Sequence, residues 1–266
     1  MTRVGVRVGL ALLAWTVVAC AAPSCGGDGT TKAKRASLTV LPDAGMRGLV
    51  NGPSTDAGGV PATELPLVFG VHGRGDTPES FSDVLAAYGT RVQFYFPRAP
   101  TPYGEGFTWF SLGPSESEAD VAKSLEDARD ALHARIHAIA GPRRYAILGF
   151  SQGGFLAFAF AAKYTDEVAC ALPIAGALPE PLRPRPSLSG TGKGLAPTVR
   201  AFHGEADSRV DVGWDRKTVA SFEAAGFDTT LVTYPGLAHR TTPELRRDVY
   251  AALDGCLAML AKEPQP

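Results

Sequence analysis

A serine between two glycines lies in a stretch of the chain that could support nucleophilic catalysis. Residues 149–153 read Gly-Phe-Ser-Gln-Gly, follow an apolar run and lead into small and apolar residues. A strand, a sharp turn and a helix in this order form a nucleophile elbow, which raises a serine hydroxyl above a parallel sheet. The pattern predicts Ser151 as a nucleophile, although Gly-x-Ser-x-Gly also occurs as turn chemistry alone.

A serine hydroxyl needs a base that takes its proton and a third group that orients this base. In folds with such an elbow, the partners follow in the order serine, acid, histidine. Only His203 and His239 come after Ser151, and His239 follows the last predicted strand. We therefore predict His239 as the base and Asp207, which follows an earlier strand, as the acid. Three other carboxylates near Asp207 are alternatives: Glu205, Asp211 and Asp215.

Acyl transfer also needs two donors for the developing oxyanion, usually backbone N–H groups. One belongs to the residue after the nucleophile, which is Gln152. The other is expected in the loop after the strand at 67–71, where residues 72–75 read His-Gly-Arg-Gly and Arg74 lies between two glycines. The alternative is a glycine turn that only joins a strand to a helix.

Strand-like and helix-like segments alternate from residue 65 to residue 261. This alternation predicts one α/β domain with a mainly parallel sheet and helices on both faces, in which functional side chains follow the carboxyl ends of strands. Besides the elbow, we predict strands at 67–71, 91–96, 168–174, 198–202 and 229–234, and helices at 78–88, 115–140, 211–225 and 243–261. An edge strand is expected at 37–41, a loop or hairpin up to residue 64, and a long loop at 177–197.

The N-terminus has the pattern of a secretory signal peptide at residues 1–19. Two arginines precede an uncharged apolar run from residue 8 to residue 19, which is too short to span a membrane. Residues 17–20 read Val-Val-Ala-Cys and are similar to a bacterial lipobox, so we expect lipidation of Cys20 and a membrane-anchored lipoprotein. The alternative is an ordinary signal peptide cleaved after residue 21 or 22. A polar, Gly-rich tether at 20–36 would then lead to the domain at 37–266.

The composition excludes little but is informative about partners. The formal net charge of −1 gives no support for nucleic acid as a partner. The cysteines and histidines show no spacing typical of metal ligands, so no metal and no cofactor are expected. Export would permit disulfides. Cys170 and Cys256 in the body could pair or could be free core residues, because pairing depends on their separation in space.

Six segments together resemble the carboxylesterase and acyl-protein thioesterase family of α/β-hydrolases, over residues 66 to about 260. They are 72–77, 97–100, 108–110, 149–154, 203–207 and 236–239. The resemblance implies the α/β-hydrolase fold, the triad Ser151, Asp207 and His239, and an oxyanion hole from the backbone of Arg74 and Gln152. It also places Trp109 near the substrate pocket, where plain packing is the alternative. The family commonly has an apolar residue where Arg74 stands.

These observations predict an exported serine carboxylic-ester hydrolase that acts on small to medium acyl esters. The expected partner is a small-molecule or lipid ester, and membrane contact is expected only through the N-terminal lipid. An esterase of the feruloyl type or a depolymerase that acts on polymer-borne esters is an alternative, as is a serine peptidase of the same fold. A non-catalytic surface binding module is the alternative of another class.

Overall fold

The computed structural model describes residues 38–40, 46–50, 64–113, 115–186 and 196–262. The expected signal peptide at 1–19, Cys20 and the whole tether at 20–36 lie outside the described residues. The strands are β1 (Leu38–Val40), β2 (Met46–Val50), β3 (Leu67–Val71), β4 (Gln93–Pro97), β5 (Thr101–Tyr103), β6 (Gly106–Thr108), β7 (Tyr145–Phe150), β8 (Val168–Ile174), β9 (Thr198–Gly204) and β10 (Thr229–Tyr234). The helices are α1 (Pro78–Val84), α2 (Glu118–Ala140), α3 (Gln152–Lys163), α4 (Val212–Ala224) and α5 (Pro243–Leu260).

One sheet organises the domain, with the strand order β1-β2-β4-β3-β7-β8-β9-β10. Six neighbouring strands of this sheet run parallel, in the order β4-β3-β7-β8-β9-β10. Strands β2 and β1 add an antiparallel edge next to β4. Strands β5 and β6 form a separate antiparallel pair. The predicted mainly parallel sheet is confirmed, and its parallel strands direct their carboxyl ends to one edge.

Side chains alternate between the two faces of the sheet and form two apolar cores. Leu67 and Phe69 of β3 pack on the face covered by α2, α3 and α4. Val68, between them, packs on the opposite face, which α1 and α5 cover. This alternation follows from the two-residue period of a strand. Helices on both faces were predicted, and the burial of both faces explains why the strands are continuous apolar runs.

Polar side chains fix the starts of helices. Thr77 accepts a hydrogen bond from the backbone N–H of Ser80, and Pro78 occupies the first turn of α1. Thr242 and Pro243 repeat this arrangement at the start of α5. A threonine cap satisfies one of the free N–H groups of the first turn, and a proline there loses no hydrogen bond.

Several predicted boundaries were wrong. Helix α1 ends at Val84 instead of residue 88, and irregular turns continue to Tyr88. Strand β9 extends to Gly204, so His203 lies inside the strand instead of after it. The β9 error arises from a long-range contact, because parallel pairing with β10 extends β9 through His203 and Gly204. Within the described residues, none of the helices combines the length and the apolar character needed to cross a membrane.

A disulfide joins Cys170 of β8 to Cys256 of α5, and their Cα atoms are 6.1 Å apart. Both cysteines are buried on the face that α1 and α5 cover. The bond closes a loop with a sequence separation of 86 residues. In the chain-entropy model, a bond across a loop of this length stabilises the folded state by about 4 kcal/mol.

Replacing both cysteines by alanine is therefore expected to lower the melting temperature by roughly 5–15 °C, because the unfolded chain regains the freedom that the bond removes. Thermal unfolding followed by circular dichroism, with and without reductant, measures this effect. Reductant should leave the melting temperature of the double variant unchanged, so this variant is the control for the effect of reductant on the wild type. A wild-type melting temperature that equals that of the variant would contradict a structural role for the bond.

Candidate functional site

Ser151 occupies the turn between β7 and α3 in a backbone conformation that residues with side chains rarely adopt. Its φ is 54° and its ψ is −118°. The turn is held by two backbone hydrogen bonds, from the N–H of Ser151 to the carbonyl of Ile174 at 2.9 Å and from the N–H of Phe155 to the carbonyl of Ser151 at 3.0 Å. A strained non-glycine residue at the carboxyl end of a central strand is typical of a functional site.

Glycines make this turn sterically possible. A Cβ atom on Gly149 would overlap the backbone of Gly153, and one on Gly153 would overlap the carbonyl oxygen of Val71. Helix α3 therefore begins in direct contact with β3 and β7, closer than any side chain would permit. Both positions therefore require glycine.

The loop after β3 lies against the serine. A Cβ atom on Gly73 would be 3.4 Å from the Cβ of Ser151. Within the described part of the chain, the backbone N–H groups of Arg74 and Gln152 donate to no protein acceptor. The loop is fixed by the N–H of Gly75, which donates to the carbonyl of Phe107 at 2.8 Å, and Gly75 has a φ of 78°. These two N–H groups are thus available as donors, and their use as an oxyanion hole stays a prediction.

The side chain of His72 holds this loop through two hydrogen bonds. Its Nε2 accepts a hydrogen bond from the N–H of Ala99 at 3.2 Å, so the ring carries its proton on Nδ1, which donates to the carbonyl of Gly73 at 2.7 Å. The imidazole is fully buried. Burial lowers the pKa of His72, which keeps the ring neutral and this hydrogen-bond pattern intact.

The side chain of Gln152 holds a second loop, which the sequence did not reveal. Its Oε1 accepts from the N–H of Trp109 and from the hydroxyl of Thr108, both at 3.0 Å, and its Nε2 donates to the carbonyl of Phe110 at 2.7 Å. The indole N–H of Trp109 donates to the carbonyl of His72 at 2.9 Å. Trp109 is only 5% exposed. Its position supports the loop after β3, in agreement with the packing alternative.

Asp207 and His239 form a close pair at the same edge of the sheet. Nδ1 of His239 donates to Oδ2 of Asp207 at 2.6 Å, which leaves Nε2 free to accept a proton. Oδ1 of Asp207 accepts from the N–H groups of Arg209 at 2.8 Å and Val210 at 3.0 Å. The His239 ring lies against Phe150, the neighbour of Ser151, with 4.7 Å between the ring centroids.

Opposite effects set the charges of this pair. Burial raises the pKa of Asp207, but hydrogen bonds from Val210, His239 and Arg209 outweigh it, and the pKa is lowered overall. Burial lowers the pKa of His239 and Asp207 raises it, and with the charges of Arg209 and His203 nearby the pKa is lowered overall. The pair therefore consists of a carboxylate and a neutral imidazole near pH 7. Within the described residues, the Ser151 hydroxyl makes no hydrogen bond to His239, an arrangement common in sites without substrate.

The alternative acids are occupied elsewhere. Glu205 accepts from the hydroxyl of Thr233 at 2.8 Å, and Asp211 caps α4 by accepting from the N–H of Gly213. Asp215 lies in the first turn of α4 and is completely buried, where its Oδ2 is 2.7 Å from Nδ1 of His203. None of these three carboxylates contacts His239 within the described residues, so the structure favours Asp207 among the four.

His203 and Asp215 form a buried polar layer beneath Asp207. Nε2 of His203 donates to the carbonyl of Val210 at 2.9 Å and lies 3.5 Å from Oδ2 of Asp207. Burial lowers the pKa of His203, but the hydrogen bonds and charges of Asp215, Val210 and Asp207 together outweigh it, and the pKa is raised overall. Burial raises the pKa of Asp215 to about 6. The strand end that carries Asp207 thus rests on a fully enclosed histidine–carboxylate pair.

A cavity of about 410 Å³ lies beside α3, and Ser151, Asp207 and His239 are not among the described residues that line it. Phe155, one helical turn after Ser151, belongs to its wall, and Trp214 contributes a half-exposed ring. The wall is apolar in its interior and carries charges at its edge. The apolar lining consists of Leu112, Val121, Phe155, Ala177, Leu178, Pro179 and Trp214, and the charged lining of Glu116, Glu118, Glu180, Arg183 and Lys217. A volume of this size is ordinary for a small-ligand pocket.

Replacing Gln152 by leucine is expected to cost about 2–4 kcal/mol of folding free energy, because the buried Trp109 N–H loses its acceptor and the Phe110 carbonyl loses one of its two donors. Urea unfolding measures the loss. Thr108→Val is the matched control: it removes one of the bonds to Gln152 and should cost about 1 kcal/mol. Equal losses in the two variants would contradict the role assigned to the glutamine side chain.

Sequence comparison with known proteins identifies a family and several relatives. The sequence model described as Phospholipase/Carboxylesterase matches residues 53–257. A protein named "Probable carboxylesterase" from Oryza sativa subsp. japonica is 28% identical over 195 residues, which cover 66% of this chain and 82% of that protein. Acyl-protein thioesterase 1 of Gibberella zeae is 25% identical over 204 residues, 69% of this chain and 87% of that protein.

Solved structures agree in fold. The carboxylesterase of Bacillus cereus superposes with a TM-score of 0.62 at 14% identity, over 80% of this chain and 96% of that chain. Esterase PE8 superposes with a TM-score of 0.60 at 22% identity, over 72% of this chain and 92% of that chain. Both the predicted α/β-hydrolase fold and the predicted family are confirmed. The chain belongs to the phospholipase/carboxylesterase family of α/β-hydrolases and is a carboxylic ester hydrolase.

Proposed function

We propose that this protein is an exported serine hydrolase that cleaves carboxylic esters through an acyl-enzyme intermediate. The observation that carries the proposal is the Asp207–His239 hydrogen bond of 2.6 Å beside a serine with a strained backbone. The N-terminal sequence pattern, with Cys20 as the expected lipid attachment site, supports export and anchoring at a membrane.

In the proposed reaction, Nε2 of His239 takes the proton of the Ser151 hydroxyl as its oxygen attacks the ester carbonyl carbon. The backbone N–H groups of Gln152 and Arg74 donate to the oxyanion of the tetrahedral intermediate. His239 then gives its proton to the leaving alcohol, and the acyl group remains on Ser151. A water molecule, deprotonated by the same histidine, releases the acid and restores the serine. Asp207 orients His239 and stabilises its protonated form.

The cavity beside α3 supports a preference for small to medium acyl groups. Its apolar wall begins at Phe155, within one turn of the nucleophile, and its volume is about 410 Å³. An acyl chain in this cavity would cover apolar surface, while the charged edge would remain in contact with water. Esters graded by acyl length therefore test the substrate range directly.

Replacing Ser151 by alanine is expected to reduce hydrolysis of short p-nitrophenyl esters by roughly 10⁴-fold or more, because the attacking oxygen is removed. Labelling by a fluorophosphonate probe should be lost as well. Ser80→Ala, at an exposed serine in α1, is the matched control and should retain both activities. Full activity in Ser151→Ala would refute the mechanism.

The pH dependence follows from the state of His239. Since burial holds its pKa below the ordinary value of 6.5, kcat/KM should rise with pH through a midpoint below 6.5 and be level at neutral pH. The pH profile of ester hydrolysis measures this midpoint. Asp207→Asn removes a group that raises this pKa, so the midpoint should move to lower pH while kcat falls by roughly 10⁴-fold. A midpoint above 6.5 in the wild type, or an upward shift in the variant, would contradict the assignment.

A further inference from the structure

Two histidines and a glutamate meet at the edge of the sheet opposite the serine. His133 and His137 lie one turn apart on α2, and Glu167 lies directly before β8. One nitrogen of each histidine and a carboxylate oxygen of Glu167 all lie within 4.8 Å of one another. We call these three residues the α2 histidine cluster. It is separate from the ester site, because Glu167 precedes the amino end of β8 and Ser151 follows the carboxyl end of β7.

The distances in the cluster match those between ligands of one small cation. Nε2 of His133 lies 2.9 Å and 3.0 Å from the two oxygens of Glu167. Nδ1 of His137 lies 3.5 Å from Oε2 of Glu167. In tetrahedral zinc sites with bonds near 2.1 Å, neighbouring ligand atoms are roughly 3.4 Å apart. The three side chains thus need only small rotations to share one ion.

Neighbouring groups hold the ring of His133 and the backbone of Glu167 in place. The His133 ring stacks on Tyr164 with 3.7 Å between centroids and 7° between planes. The Tyr164 hydroxyl donates to Oδ1 of Asp130 at 2.6 Å. The backbone of Glu167 is fixed on both sides, since its N–H donates to Tyr164 at 3.1 Å and its carbonyl accepts from Tyr145 at 3.0 Å. This support orients the donors before an ion arrives.

We propose that the α2 histidine cluster binds a divalent transition-metal ion, with Zn²⁺ as the reference ion. Two imidazole nitrogens and one carboxylate oxygen suit zinc, copper or nickel and not the harder magnesium and calcium ions. The side chains of His137 and Glu167 are 58% and 29% exposed, so the ion can enter and water can complete its coordination. The bound ion joins α2 to the segment between α3 and β8 and stabilises the fold without contact with the ester site.

The test uses the full chain with Cys20 and Cys25 replaced by alanine, so that neither N-terminal thiol competes for the ion. Isothermal titration with ZnCl₂ measures affinity, and thermal unfolding measures stabilisation. Zinc at about 100 times Kd should raise the melting temperature by roughly 5–10 °C, whereas Mg²⁺ and Ca²⁺ should leave it unchanged. His137→Ala and Glu167→Gln should each weaken zinc binding by more than about 100-fold. Losing a group that only hydrogen-bonds a metal ligand usually costs less than this.

Asp166→Asn is the matched control, because it removes the same charge from an exposed neighbour of Glu167. Its affinity for zinc should equal that of the parent chain. His137 is largely exposed, so its replacement should leave the melting temperature without zinc unchanged. Zinc binding that is equally strong in His137→Ala, or equally weakened in Asp166→Asn, would overturn the proposal, whatever the esterase activity of the protein.

Discussion

Helix α3 approaches the sheet so closely that three positions around its start have no room for a Cβ atom. Ser151 can adopt a φ of 54° only because Gly149 and Gly153 let the helix begin against β3 and β7. The same approach continues along α3, where a Cβ atom on Gly154 would overlap Ile174 of β8. Every residue from Gln152 to Ala161 is buried. Packing of this helix therefore stabilises the strained turn and fixes the position of the serine.

A second layer of buried polar groups fixes the partner of the serine. Asp207 stays ionised because two backbone N–H groups and His239 donate to it. Next to Asp207, both ring nitrogens of His203 face acceptors. Nε2 faces the carbonyl of Val210, and Nδ1 faces the carboxylate of Asp215. A buried pair of this kind contributes little net stability, but loss of one partner is costly. Its effect is to hold the end of β9 in one arrangement, and Asp207 with it.

The sequence predicts the features that depend on local order along the chain. The elbow at 149–153, the alternation of strands and helices, and the order of Ser151, Asp207 and His239 could be found because each has a local pattern. The hydrogen bonds of the Gln152 side chain to residues 108–110, the His203–Asp215 pair and the approach of Glu167 to α2 had no such pattern. They join residues 12 to 44 positions apart, and only the packing of whole elements brings them together.

The side chain of Arg74 holds the loop whose backbone N–H is the proposed oxyanion donor. Its guanidinium donates to the carbonyl of Leu112 and lies over the ring of Tyr103 at 5.0 Å. The guanidinium thus joins the loop after β3 to the segments at 103 and 112. Leu112 also lines the 410 Å³ cavity. The position of Arg74 therefore links the proposed oxyanion donor to one wall of the cavity, so a substitution there would affect both the donor and substrate selection.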